Sequence, residues 1–288
     1  MKLNRIVALL PLLGHRSLGN QCSLSSVRST AASGSNVYES SRAVHEYLLF
    51  HYGNDKDIMP YGFGPKQALR FNERSASICK SQASKSSQRV LDIGCAVGGS
   101  SFELARYYEQ VVGIDYSHKF IEAANEMKLN GTVKYTMLKQ GSVYVNRTST
   151  LDDTIDRSRV QFMQGDACNM NTSLGTFDII LGSNLLCRLP DPRKFLREIP
   201  VYLNSEGILV LISPYSWLEE YTKEDSWVGA TNNQDSFQVL KDEMWRNKLE
   251  LVHQEDIPFI IREHERKFQY GVSDLTVWKK AKGDIGRS

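Results

Sequence analysis

Three carboxylates and one amide, each beside a short apolar run, are the residues best placed to do chemistry. Asp92 sits in Val90-Leu91-Asp92-Ile93, immediately before the small-residue run Gly94-Cys95-Ala96-Val97-Gly98-Gly99-Ser100-Ser101. Asp115 ends a second apolar run, 23 positions beyond Asp92. Asp166 follows a third, in Gly165-Asp166-Ala167, and Asn184 follows a fourth. Small residues let backbone approach a ligand closely, and a helix starting just after them presents unpaired N–H groups. An acid ~20 residues past a glycine turn is spaced to accept from both hydroxyls of a ribose. An acid past the third strand, with the Ala167 N–H beside it, suits an exocyclic amine and a ring nitrogen.

Residues 94–99 admit more than one reading. Gly94-x-Ala96-x-x-Gly99 fits a dinucleotide fingerprint poorly, because its second glycine is missing. Asp92-x-Gly94-x-Ala96-x-Gly98 resembles the acidic, alternating small-residue loop of class I S-adenosylmethionine (SAM) methyltransferases. A glycine turn without function is the third reading.

These residues must be held by strands that alternate with helices. Strands are expected at 90–93, 110–115, 160–164, 177–181 and 207–214, and helices at 102–108, 120–127, 192–203 and 237–245. Two closing strands, 249–256 and 268–277, are joined through 260–266. Residues 132–158 interrupt the alternation as a protruding hairpin or loop. Residues 215–235, rich in Trp, Tyr and Asn, form a second insertion. Ahead of the core, aromatic-heavy helices at 38–52 and 67–80 form a lid, in which His51 reads as a packed histidine. The expected fold is a three-layer, Rossmann-like α/β sandwich with a mainly parallel seven-stranded sheet and a terminal antiparallel pair. The lid occupies 37–85, the core 86–282 and a tail 283–288.

Composition narrows the functional classes. Hydrophobic content of 41% and charged content of 24% suit a globular protein with a sizeable core. Residues 1–38 carry Lys2, Arg5, Arg16 and Arg28 and no acid; the remainder has 31 basic against 33 acidic residues, so no nucleic-acid face is indicated. Five cysteines without a C-x-x-C pair argue against a disulfide framework and against a metal site. The apolar run 6–13 is too short to span a bilayer. Residues 1–36, rich in Arg and Ser, are expected to be a transit-like leader to a mitochondrion or other organelle, with a cytoplasmic protein as the alternative. A secretory signal competes, supported by formal glycosylation acceptors at Asn130, Asn146 and Asn171.

Beyond the SAM loop, the chain resembles a specific family, the 4-mercaptohistidine N1-methyltransferases of ovothiol biosynthesis. The matching runs are Val37-Tyr38-Glu39, residues 46–53, Phe63-Gly64-Pro65-Lys66, residues 94–98 and 100–105, residues 156–160 and residues 165–169. They continue with residues 184–192, residues 213–220, Ile261-Arg262-Glu263-His264 and Arg266-Lys267-Phe268-Gln269. The likeness covers roughly 37–280, lid and insertions included. It departs at Gly99, where the family carries a basic residue, and at Asn72, where a proline is expected. It implies SAM as cofactor, held by Asp92, Gly94, Ala96, Gly98, Asp115, Asp166, Ala167 and Asn184. It also implies a small amino-acid substrate; the family is often fused to a front part that installs the sulfur, and with no such portion in this sequence a stand-alone methylase with no obligate protein partner is expected.

A zwitterionic substrate needs a cation for its carboxylate, and Arg262 is the expected anchor because its planar fork permits a bidentate pair. Tyr215 and Tyr38 are expected to stack on or hydrogen-bond to the imidazole, with His264 accepting from the substrate. A neutral imidazole nitrogen is already nucleophilic, so no strong general base is expected. The loop after the fourth strand has no Asn-Pro-Pro-Tyr tetrapeptide, which disfavours adenine-amino methylation, and no Pro-Cys nucleophile suggests base C5 chemistry. A methyltransferase for another small molecule, a non-catalytic SAM-binding module and an NAD dehydrogenase remain as rivals.

Overall fold

The computed structural model describes residues 34–280. The leader, Cys22 and the tail expected at 283–288 lie outside them. Five strands run parallel in one sheet: β1 (Arg89–Ile93), β2 (Gln110–Asp115), β5 (Val160–Gln164), β6 (Phe177–Ser183) and β7 (Leu203–Ser213). The antiparallel pair β8 (Leu249–His264) and β9 (Lys267–Lys280) completes it, and the spatial order is β5-β2-β1-β6-β7-β9-β8. A separate two-stranded hairpin, β3 (Thr132–Gln140) and β4 (Val143–Thr150), fills the first expected insertion.

The strands are buried on both faces, and their period of two sorts side chains into two cores. Ile179, Leu181, Ile208, Val210 and Ile212 pack on one face with Phe102 of α4 (Gly99–Ala105) and Phe120 of α5 (His118–Asn130). Ile180, Leu209 and Leu211 pack on the other with Phe195 of α6 (Pro192–Glu198) and Leu240 of α7 (Ser236–Arg246). Three layers follow, as the alternation predicts. The lid is α1 (Ser41–Tyr52), α2 (Asp55–Ile58) and α3 (Phe71–Gln82), and its Leu48, Leu49, Phe71 and Cys79 join the α4/α5 core.

Several boundaries differ from those expected. Residues 34–39 form a 3₁₀ turn, and α1 begins only after Ser40, whose side chain accepts the Ala43 amide as N-cap. The helix expected over 192–203 ends at Glu198, and a 3₁₀ turn runs straight into β7. The largest change is at the C-terminus. The segment expected to join the last strands is itself strand, so β8 and β9 form one long ribbon turning at Glu265-Arg266. Ile257 and Ile260 explain the extension, because both are buried in the core shared with the lid. Pro258 is tolerated because β8 is the sheet edge and needs no second partner there. At the far tip the Glu265 amide donates to the Lys139 carbonyl of the hairpin.

Among the described residues no helix is long and apolar enough to cross a membrane, and Cys79, Cys95, Cys168 and Cys187 are free and buried.

Candidate active site

β2 and β6 flank β1 on opposite sides, so the chain leaves β1 toward one half of the sheet and later returns to the other. The crevice above such a switch point, at the carboxyl ends of the strands, is where open α/β sheets bind ligands. The expected residues fall along that edge in spatial order: Asp166 after β5, Asp115 ending β2, the glycine loop after β1, Asn184 after β6 and Tyr215 after β7. Five strand ends at the usual spacing make a row roughly 19 Å long, the reach of an extended nucleoside with an amino-acid end.

The loop has the backbone a close-bound ligand requires. Gly94 (φ 74°), Ala96 (φ 48°) and Gly98 (φ 90°) all lie in the left-handed region. At Gly98 a Cβ would come 2.5 Å from the Phe162 ring, so only glycine fits. Asp115 holds the loop to β2: its Oδ2 accepts the Ala96 amide at 2.9 Å and its Oδ1 accepts the Ser117 amide at 2.8 Å. Each carboxylate oxygen keeps a further lone pair for a hydroxyl. Burial, partly offset by those two amides, raises the Asp115 pKa to about 6.

Asp92 behaves differently. It is 1% exposed and accepts the Ser101 hydroxyl of α4 at 2.6 Å. Burial lifts its pKa to about 7 against the lowering effect of that bond. Its buried carboxylate ties the end of β1 to α4. Asp166 accepts the Cys168 amide and the Asn169 side chain, each at 2.8 Å, which fixes the turn that carries buried Ala167.

On the other half of the row, Asn184 takes a positive φ of 52° and its Oδ1 accepts the Ser273 hydroxyl at 2.8 Å. Tyr215, also at positive φ, donates its hydroxyl to Asp274 at 2.8 Å. Burial and Asp274 push its pKa upward, so it stays a neutral phenol. The buried hydroxyl of neighbouring Ser183 has no partner.

The lid closes on these loops by direct bonds. The Tyr52 hydroxyl donates to the Val97 carbonyl at 2.6 Å, and His51 Nδ1 accepts the Gly99 amide at 2.9 Å. The first amide of α4, expected to face a ligand, is therefore taken by the lid. Burial pulls the His51 pKa down to about 3, and its accepting Nδ1 places the proton on Nε2. The Tyr38 carbonyl accepts the Ser117 hydroxyl, and its ring packs against Tyr47, Phe120 and Tyr221. Arg188, in the turn that follows Asn184, lies over the Tyr221 ring at 4.8 Å and interacts with the Tyr38 phenol.

Arg262 and His264 are not brought to this row. Arg262 lies five residues beyond Ile257, the register partner of Ser273, roughly 17 Å further along the ribbon. It is 5% exposed, donates Nη1 to the Asp57 carbonyl at 2.6 Å, and leaves Nε without a partner. The Asp57 carboxylate is itself held bidentately by Arg147, so the group bolts α2, the hairpin and β8 together. His264 sits at the ribbon's turn, accepting the Arg266 amide. Arg188, Tyr221 and Tyr47 were not singled out in the sequence. The one available signal was a cation four residues after Asn184. A separate cleft of about 700 Å³ lies between the end of α5 and the base of the hairpin, away from the row.

Comparisons with known proteins follow this geometry. A family model described as a methyltransferase domain matches residues 84–256. The norajmaline N-methyltransferase of Rauvolfia serpentina is 29% identical over 134 residues, 46% of this chain and 38% of the relative. Phosphoethanolamine N-methyltransferase 1 of Triticum aestivum is 26% identical over 132 residues, 46% of this chain and 21% of the relative. The chain thus spans less than half the length of these relatives. Among solved structures, the [4+2]-cyclase SpnF superposes with a TM-score of 0.54 at 15% identity, covering 86% of this chain and 95% of that one. That likeness bears on the fold alone.

Proposed function

The chain belongs to the methyltransferase-domain family, and from that premise we propose that it is a SAM-dependent N-methyltransferase of a small imidazole-thiol amino acid, with 4-mercaptohistidine as the expected acceptor. The observation that carries the reading is the row itself: a positive-φ glycine loop tied to Asp115, with Asn184 across the switch point and an aromatic lid above. The N-methyltransferase relatives support small-molecule nitrogen as the acceptor class. The acceptor's identity rests on the resemblance that extends through lid and insertions.

When bound, SAM supplies a methyl group on a positively charged sulfur. The chain's own residues hold and orient. Asp115 would take the ribose hydroxyls with the lone pairs its two amides leave free. Asp166 and the Ala167 N–H would meet the adenine edge, and Asp92 would hold α4 against β1 through Ser101. Asn184 and Tyr215 border the acceptor side as neutral hydrogen-bonding groups. Tyr38 and the lid exclude water. His51, neutral and committed to Gly99, is not a base. An imidazole nitrogen needs none, and orientation is worth up to ~7–11 kcal/mol of the barrier.

The test is a panel of acceptors with methyl-labelled SAM: 4-mercaptohistidine, histidine and an ergothioneine-like thiol. Label is expected on a ring nitrogen of 4-mercaptohistidine. Label on none of them, with SAM still bound, would favour a non-catalytic module or another acceptor.

A further inference from the structure

The long ribbon carries Arg262 away from the row, which leaves a zwitterionic acceptor without the cation first expected for its carboxylate. Arg188 fills that gap in position. It ends the 3₁₀ turn that starts two residues after Asn184, with its amide bonded to the Leu185 carbonyl at 2.8 Å. Nη1 is anchored on two backbone carbonyls, Cys187 at 3.0 Å and Ser216 at 2.9 Å, so the guanidinium is fixed from the protein side.

Two further observations point to an anion. Among the described residues Arg188, like the carbonyl-bound Arg74, Arg89 and Arg157, has no carboxylate within 4 Å of its guanidinium, whereas Arg106, Arg147 and Arg193 each pair with one. Its neighbours are phenols instead: the Tyr221 ring beneath it and the Tyr38 hydroxyl beside it, the two rings stacked at 6.1 Å. A half-buried cation walled by aromatic rings keeps its charge available while water is displaced around it. Tyr38 joins this group to the cofactor side, because its carbonyl holds Ser117, whose amide holds Asp115.

We propose that Arg188, flanked by Tyr38 and Tyr221, is the anchor for the carboxylate of the methyl acceptor. The assignment rests on the proposed acceptor class for the ligand's identity. It makes the enzyme selective for amino acids over the corresponding amines. It also places the substrate carboxylate between the lid turn that carries Tyr38 and the 215–235 loop that carries Tyr221.

The experiment is calorimetric binding of 4-mercaptohistidine and of its decarboxylated amine to the full chain saturated with S-adenosylhomocysteine. Wild type is expected to bind the acid roughly 10–100-fold more tightly, the range of a charged hydrogen-bonded pair. Arg188→Met should erase that preference without changing amine affinity, and Arg188→Lys should keep part of it. If Arg188→Met fails to fold, Arg188→Lys carries the same comparison. Equal wild-type affinity for both ligands, no binding of the acid, or an equal loss of both in the variant would overturn the anchor. Methyl transfer is followed separately in the same samples. Acid preference without transfer would leave the anchor standing and defeat the proposed reaction.

Discussion

His51 Nδ1 accepts the Gly99 amide at 2.9 Å, which ties lid helix α1 to the first residue of α4 behind the glycine loop. The lid is thus part of the cofactor loop's support. His51→Leu leaves that amide buried without an acceptor and should cost about 1–3 kcal/mol. The pH dependence has a definite sign. The unfolded imidazole protonates near 6.5 while the folded one resists until about 3. This contribution is therefore complete above pH 6.5 and is lost as pH falls toward 3. Urea denaturation of both proteins across that window should show the wild type losing more stability on acidification.

Asp92 predicts the opposite slope. Its folded pKa of about 7 lies above the ordinary 3.8, so the folded protein keeps a proton that the unfolded chain releases. Stability from this group falls as pH rises from about 4 to about 7. Asp92→Asn keeps an oxygen for Ser101 and removes the charge, so it should be more stable than wild type at pH 8 and level with it near pH 4. Because the histidine and aspartate effects oppose each other between those limits, each is read as a difference from wild type.

The two departures from the family pattern meet in space. A Cβ on Gly99 would lie 2.6 Å from Asn72 Nδ2 and 2.6 Å from His51 Nδ1, and Asn72 Oδ1 accepts the Ser100 hydroxyl at 2.8 Å. Gly99→Lys alone should destabilise by about 1–3 kcal/mol through overpacking. Asn72→Pro removes the crowding amide at the second residue of α3, where proline is tolerated. The double variant should therefore be more stable than the sum of the single effects allows, a coupling read by chemical denaturation of all four proteins.

What the sequence revealed followed its periodic and punctuated signals. The strand, glycine turn and helix around Asp92, the spacing to Asp115 and the strand alternation all depend on local patterns, and a mainly parallel sheet with a closing antiparallel pair followed from them. The full ribbon is not legible locally, because Ile257 and Ile260 pack in a core completed by residues from the lid, some 200 positions earlier, and Pro258 reads as a break. Arg262 looked like a substrate anchor for the same reason: nothing near it in sequence reveals that Asp57 supplies its carbonyl. Arg188 gives no signal in the sequence, because a lone cation in a 3₁₀ turn has no periodicity and Tyr38 and Tyr221 reach it from distant segments.

The most direct test of the account is calorimetric titration of SAM into wild type and Asp115→Asn at neutral pH. Asp115 is bonded to the glycine loop at the centre of the row. Wild type is expected to bind one SAM per chain. The variant, folded by circular dichroism, should bind at least about tenfold more weakly, the loss of one charged hydrogen bond or more. Equal affinity in the two proteins, or no binding by wild type, would contradict the account.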